Sequence, residues 1–140
     1  SFDGGYDGEL FDGVLPRIFT ETGNHHTDEF PPDEVIANAI FEVDTAGWAE
    51  PWEKLSGRIM DGFTDIAKES EAKGAKNIVI VSHGMTIGTF VKLAHPELPR
   101  PHGLDNGSVT HLSFEDGKFT IGKVGDMSYR EIGSEKLAKK

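Results

Sequence analysis

An α/β fold is what this 140-residue sequence predicts, and three observations lead there. Trp52, Leu55, Ile59, Phe63 and Ile66 recur at the spacing of one helix face. Ile78-Val79-Ile80-Val81-Ser82 follows, an apolar and mostly β-branched run suited to a strand buried on both faces. A helical segment then opens near Met85-Thr86 and runs to His95. Helix, strand and helix in close succession are the alternation of an α/β domain.

Taken in order, the start SFDGGYDGEL alternates glycines with acids and aromatics and reads as a turn-rich loop. Leu10, Phe11, Val14, Leu15 and Ile18 give a short amphipathic helix over 9–19, interrupted by Pro16. Thr20 to Pro32 is a polar loop holding His25-His26. Val35, Ile36, Ala39, Ile40 and Val43 predict a second short helix, entered through Pro32 and Asp33. After a connection over 45–50, the long helix runs from Pro51 to about Lys73 and stops at Gly74, a natural left-handed cap. Its outer face, Glu53, Lys54, Arg58, Asp61, Lys68 and Glu71, is of mixed charge. Pro96 ends the helix after the central strand. Residues 107–114 and 118–124 read as two strands joined by Asp116-Gly117, a strong hairpin signal. The lysine-rich end, 136–140, is expected to fray.

Composition narrows the functions. With 14 Lys+Arg against 24 Asp+Glu the net charge is −10, which disfavours nucleic acid and anionic membranes as partners. The absence of cysteine excludes disulfides, thiolate catalysis and Cys-based zinc sites. No apolar run approaches the roughly 20 residues of a membrane-spanning helix, and no signal peptide is visible. A soluble cytoplasmic protein without cofactor or metal is the expectation.

Chemistry concentrates where the strand ends in Ser82-His83-Gly84. The N-terminus of the following helix favours an anion through its backbone N–H groups and dipole, and a histidine there can donate to that anion or handle its protons. His83 is thus the candidate catalytic residue, with Gly84 and Met85 as phosphate-binding positions. The bland alternative is that His83 merely caps the turn. Asn106, before the next strand, either occupies a turn in left-handed space or reaches into the pocket through its amide. Gly125 to Tyr129 is either a substrate-side loop or an ordinary turn, and reads better as the turn. His25-His26 with Asp28 is read as a solvated loop rather than a metal site.

The run NIVIVSHGMTIGTFVKLA, followed by DNGSVTHLSFEDGKFTIGKVGDMSY, resembles the C-terminal half of the histidine phosphatase superfamily, the phosphoglycerate mutase-like proteins. EPWEKLSGRIMDGFTDIAKE is similar to that family's helix with Glu and Arg eight residues apart. The resemblance implies a three-layer α/β/α fold with a mostly parallel sheet. It implies phosphoryl transfer through a phosphohistidine, as phosphatase (a hydrolase) or phosphomutase, on a small phosphorylated metabolite. His83 matches the family's second active-site histidine, and no metal is required.

The family's nucleophile belongs to an Arg-His-Gly motif, and this sequence contains none. The expectation is therefore that 1–140 is the C-terminal part of one histidine-phosphatase-like domain, incomplete at the N-terminus and inactive alone. Self-association, or pairing of the 78–82 strand with a missing N-terminal segment, is expected too. The alternative is a non-catalytic phosphate-binding or interaction module.

Overall fold

The computed structural model describes residue 17, residues 31–99, residue 101 and residues 103–140. The expected helix over 9–19, the glycine-rich start and the His25-His26 loop lie outside the described residues, Arg17 apart. The chain divides into two compact units, Ser1–Arg58 and Ile59–Lys140, with the boundary inside the longest helix.

In the first unit, helix α1 spans Asp33–Val43. Proline suits its entry because φ is already fixed and a first-turn N–H is not needed. Pro32 stands at φ −56°, and its carbonyl accepts from the N–H groups of Val35 (3.0 Å) and Ile36 (3.1 Å). Asp33 and Glu34 place negative charge where the helix dipole favours it. Ile36, Ala37, Ala39 and Ile40 form its buried face. After Asp44 the chain turns tightly, because one carboxylate accepts from Ala46 N–H (3.0 Å), Trp48 N–H (2.7 Å) and Ala49 N–H (2.6 Å). Helix α2, Trp52–Ala72, then begins with its first N–H donated to the Asn38 side-chain oxygen at 2.9 Å. That amide acts as a helix cap supplied from α1. Leu55 is buried, as are Ile36 and Ile40, each such residue stabilising by about 1.5–3 kcal/mol.

In the second unit, the rest of α2 buries Ile59 and Ala67 and carries Phe63 toward the core. Ile66, expected on the same stripe, is exposed; the inward row follows the i, i+4 step through buried Ile59, half-buried Phe63 and buried Ala67 instead. All six residues expected on the outer face are exposed. The helix ends in a paired cap, with Gly74 N–H on Glu71 C=O (2.9 Å) and Ala75 N–H on Ser70 C=O (2.9 Å).

Helix α3 spans Gly84–Ala94 and buries Gly88, Thr89, Phe90 and Val91. Strands β1, Leu112–Glu115, and β2, Lys118–Ile121, form the Asp-Gly hairpin that was expected. Asp116 (φ 51°) and Gly117 (φ 77°) are both left-handed, as a two-residue turn matched to strand twist requires. The core of this unit is a chain of rings. Phe63 stacks on Phe90 at 4.1 Å, Phe90 meets Phe119 edge-on at 4.9 Å, and Phe119 lies 4.8 Å from Phe114. Those contacts tie α2, α3, β2 and β1 together, each ring pair adding about 0.5–1.5 kcal/mol beyond its burial.

Beyond the hairpin the ladder is bulged. From Leu112 to the Val109–Asp126 bridge the first limb takes three residues, while the second takes five from Ile121. Gly122 allows this, because a Cβ there would lie 3.1 Å from His111 Cβ and 3.3 Å from its carbonyl oxygen. Helix α4, Ser128–Ala138, follows and buries no residue. The helix extends into the lysine-rich end as far as Ala138.

One expectation is met only in part and one is corrected. Among the described residues the sheet is two-stranded and antiparallel, not a mostly parallel sheet between two helical layers. Residues 77–82 lie in no strand and make no backbone–backbone hydrogen bond to any described residue. Nor is the run buried on both faces: Val79 is 90% and Val81 93% exposed, while Ile78 is 46%. A β-branched run has strand character only as far as a neighbour satisfies its N–H and C=O groups, and no described residue does so.

Candidate functional site

His83 is the residue immediately before α3, in extended conformation (φ −96°, ψ 151°). A strand-like approach that switches to helix at a glycine leaves the preceding side chain at the helix mouth. His83 is exposed, and its carbonyl accepts the first helical bond, from Ile87 N–H at 3.0 Å. Its ring makes no capping bond, so the turn-capping alternative does not describe it. Gly84 and Met85 are the first two residues of α3 and carry first-turn N–H groups. Met85 is half-buried and Gly84 exposed.

Leu104 connects this helix mouth to the segment before α4. A Cβ on Gly84 would lie 3.6 Å from the Leu104 carbonyl oxygen, and one on Gly125 would lie 3.1 Å from Leu104 Cδ2. The mouth of α3 and the Gly125 turn thus pack against the same leucine. Asn106 stands two residues further on, in the turn closed by Ser108 N–H on Asp105 C=O at 3.0 Å. Gly107, at φ 80°, takes the left-handed position of that turn, leaving the exposed Asn106 outside left-handed space. Its backbone carbonyl accepts from Arg130 Nη1 at 3.2 Å.

Asp126, expected in an ordinary turn, is the best-connected charge described in this region. It is 8% exposed. Its Oδ1 accepts from Ser128 N–H at 2.9 Å and from Lys123 Nζ at 3.0 Å, and its Oδ2 lies 3.5 Å from His111 Nε2. Ser128, through its N–H and then its hydroxyl, followed by Lys123, holds the carboxyl well below the usual carboxylate range. The signal was present in Gly-Asp-x-Ser, where an aspartate two residues before a helix start can accept its N–H. His111 in turn lies 5.7 Å from the Tyr129 ring. The Gly125–Ser128 turn is fixed by ionic and backbone contacts together.

What the helix mouth can do chemically is limited and specific. An exposed imidazole beside first-turn N–H groups can bind an anion and give or take its proton. Among the described residues no group of three His, Asp or Glu side chains is placed to hold a metal ion. No described helix is long and apolar enough to cross a membrane.

In three dimensions the chain is similar to the crystal structure of phosphoglycerate mutase from Bacillus anthracis str. Sterne, with a TM-score of 0.83 and 29% sequence identity. The similarity covers 94% of this chain and 58% of the mutase, so the chain spans under two thirds of that protein's length. No curated protein matches the sequence. The family model of the histidine phosphatase superfamily (branch 1) matches residues 22–127, a stretch that includes His83, Asn106 and Asp126. On that match, which covers most of its length, the chain belongs to the histidine phosphatase superfamily.

Proposed function

We propose that this chain contributes the second histidine of a phosphoryl-transfer site that works through a phosphohistidine. The observation that carries the reading is His83, exposed at the mouth of α3 with its ring unused as a cap. Phosphoryl transfer asks mainly for positioning and for neutralisation of the oxygens. His83 donates to the transferring group, the Gly84 and Met85 amides meet its oxygens, and Asn106 stands at the rim. The substrate is a small phosphorylated metabolite, the outcome hydrolysis or mutase chemistry, and the setting the cytoplasm.

The sequence has no Arg-His-Gly, so the nucleophile comes from another polypeptide segment. In this reading residues 77–82 become a strand of a three-layer α/β/α sheet when that segment pairs beside them, and 1–140 forms one domain with it. The missing motif also favours a second reading, a phosphate-binding module without turnover.

Titrating inorganic phosphate into the 15N-labelled chain tests the site. The amides of His83, Gly84 and Met85 are expected to shift, and His83→Ala to weaken the response about tenfold, as loss of one charge-assisted hydrogen bond does. No shift at these amides would remove the site. Turnover of p-nitrophenyl phosphate is expected only from a longer polypeptide bearing Arg-His-Gly joined to this chain, and to be lost with His83→Ala. Turnover by the 140 residues alone, abolished by the same substitution, would overturn the shared-site reading. Phosphate binding without turnover in the joined polypeptide would leave the module.

A further inference from the structure

His95 ends α3 with both ring nitrogens engaged by acceptors. Nδ1 lies 2.7 Å from Glu97 Oε1, and Nε2 lies 2.9 Å from the backbone carbonyl oxygen of Phe119 in β2. Neither partner can donate, so both contacts are hydrogen bonds only when both ring nitrogens carry protons. A neutral imidazole has one N–H and must turn a lone pair toward one of the two oxygens. The side chain is 28% exposed, so solvent can deliver and remove the proton.

We propose that His95 is a proton-operated latch, which as an imidazolium ties the C-terminal end of α3 to β2 and which loosens on deprotonation. The latch bridges elements already in ring contact through Phe90 and Phe119, so its release slackens the hairpin against α3 without unfolding either. Among the described residues the charged groups on the elements packed against it are few. Lys92, on α3, is held by the carbonyls of Pro96 and Leu98 and steadies the turn carrying Glu97. From the hairpin come Lys118, next to Phe119, and Glu115, its partner across the ladder. The imidazolium also sits at the negative end of the α3 dipole, which favours its charge.

The Phe119 carbonyl, then Glu97, raises the His95 pKa above its ordinary value, and Glu97's own backbone N–H, then His95, lowers that of Glu97. The sign follows from the raised value. The latch contribution is complete below the unfolded-state histidine pKa, about 6.5, and is lost as pH rises through the higher folded-state value.

Imidazole 15N shifts and hairpin amide shifts, recorded against pH on the intact chain, test this. His95 is expected to titrate above the midpoint of a free histidine, with the β1–β2 amides moving at the same midpoint. Glu97→Gln should lower that midpoint while keeping the fold, and His95→Ala should abolish the hairpin transition. A His95 midpoint at or below the free value would overturn the proposal. So would hairpin amides that stay still through the titration, or a Glu97→Gln variant with an unchanged midpoint.

Discussion

Among single residues, Glu50 and Arg58 make the clearest case for reading a motif as physics. The eight-residue spacing is legible in the sequence, and Arg58 was expected on an exposed helix face. Its guanidinium is indeed on that face, 58% exposed, but it grips a carboxylate only 13% exposed. Nε lies 3.2 and 3.1 Å from the two Glu50 oxygens, and Nη2 lies 2.6 Å from Oε2. The hydrogen bond to Arg58 outweighs the opposing effect of burial and lowers the Glu50 pKa below its ordinary value. A depressed carboxylate stabilises the fold above its unfolded-state pKa, and that share is lost as pH falls through the folded value. Arg58→Met should therefore cost about 1 kcal/mol at neutral pH, the upper end for a partly exposed pair. The difference from wild type should shrink below about pH 4.3, the ordinary glutamate value. Urea unfolding at several pH values measures it, and a difference that stays constant into acid would show that Arg58 acts through packing alone.

At the level of elements, periodicity and punctuation were legible wherever a short stretch settles its own conformation. The α1 and α2 limits follow Pro32 and Gly74 to within a residue or two, and the hairpin sits on Asp116-Gly117. The 78–82 run was read from the same kind of signal and did not form a strand, because a strand is defined by its neighbour's hydrogen bonds and not by its own side chains. The buried face of α3 shows the converse, since its burial follows from the contacts it makes. Phe90 is fully buried between Phe63 and Phe119, a packing that the apolar sequence permits but cannot specify. Phe90→Ala should cost about 3–5 kcal/mol; Phe90→Leu, which retains most of the volume, should cost distinctly less. Thermal unfolding of both variants checks this, and equal losses would mean the aromatic geometry matters more than the filled space.

For the whole molecule, what decides behaviour is an exposed apolar run on a strongly acidic chain. Val79 and Val81 present one nearly bare face, and no described residue bonds the backbone beside them. Such an edge is a template for another strand. At a net charge of −10, two copies approaching through this edge repel one another over a distance set by the ionic strength. Burying the valines favours the contact, and charge opposes it. Sedimentation of the chain should therefore become concentration-dependent, and more so as salt is raised, because screening removes only the opposing term. Val79→Lys with Val81→Lys should abolish the concentration dependence while changing stability by less than about 0.5 kcal/mol, as for exposed sites generally. Association that weakens with salt would instead assign it to ion pairs elsewhere on the surface. A wild-type chain that sediments as a monomer at every concentration and salt would mean the edge is not a pairing surface for a second copy.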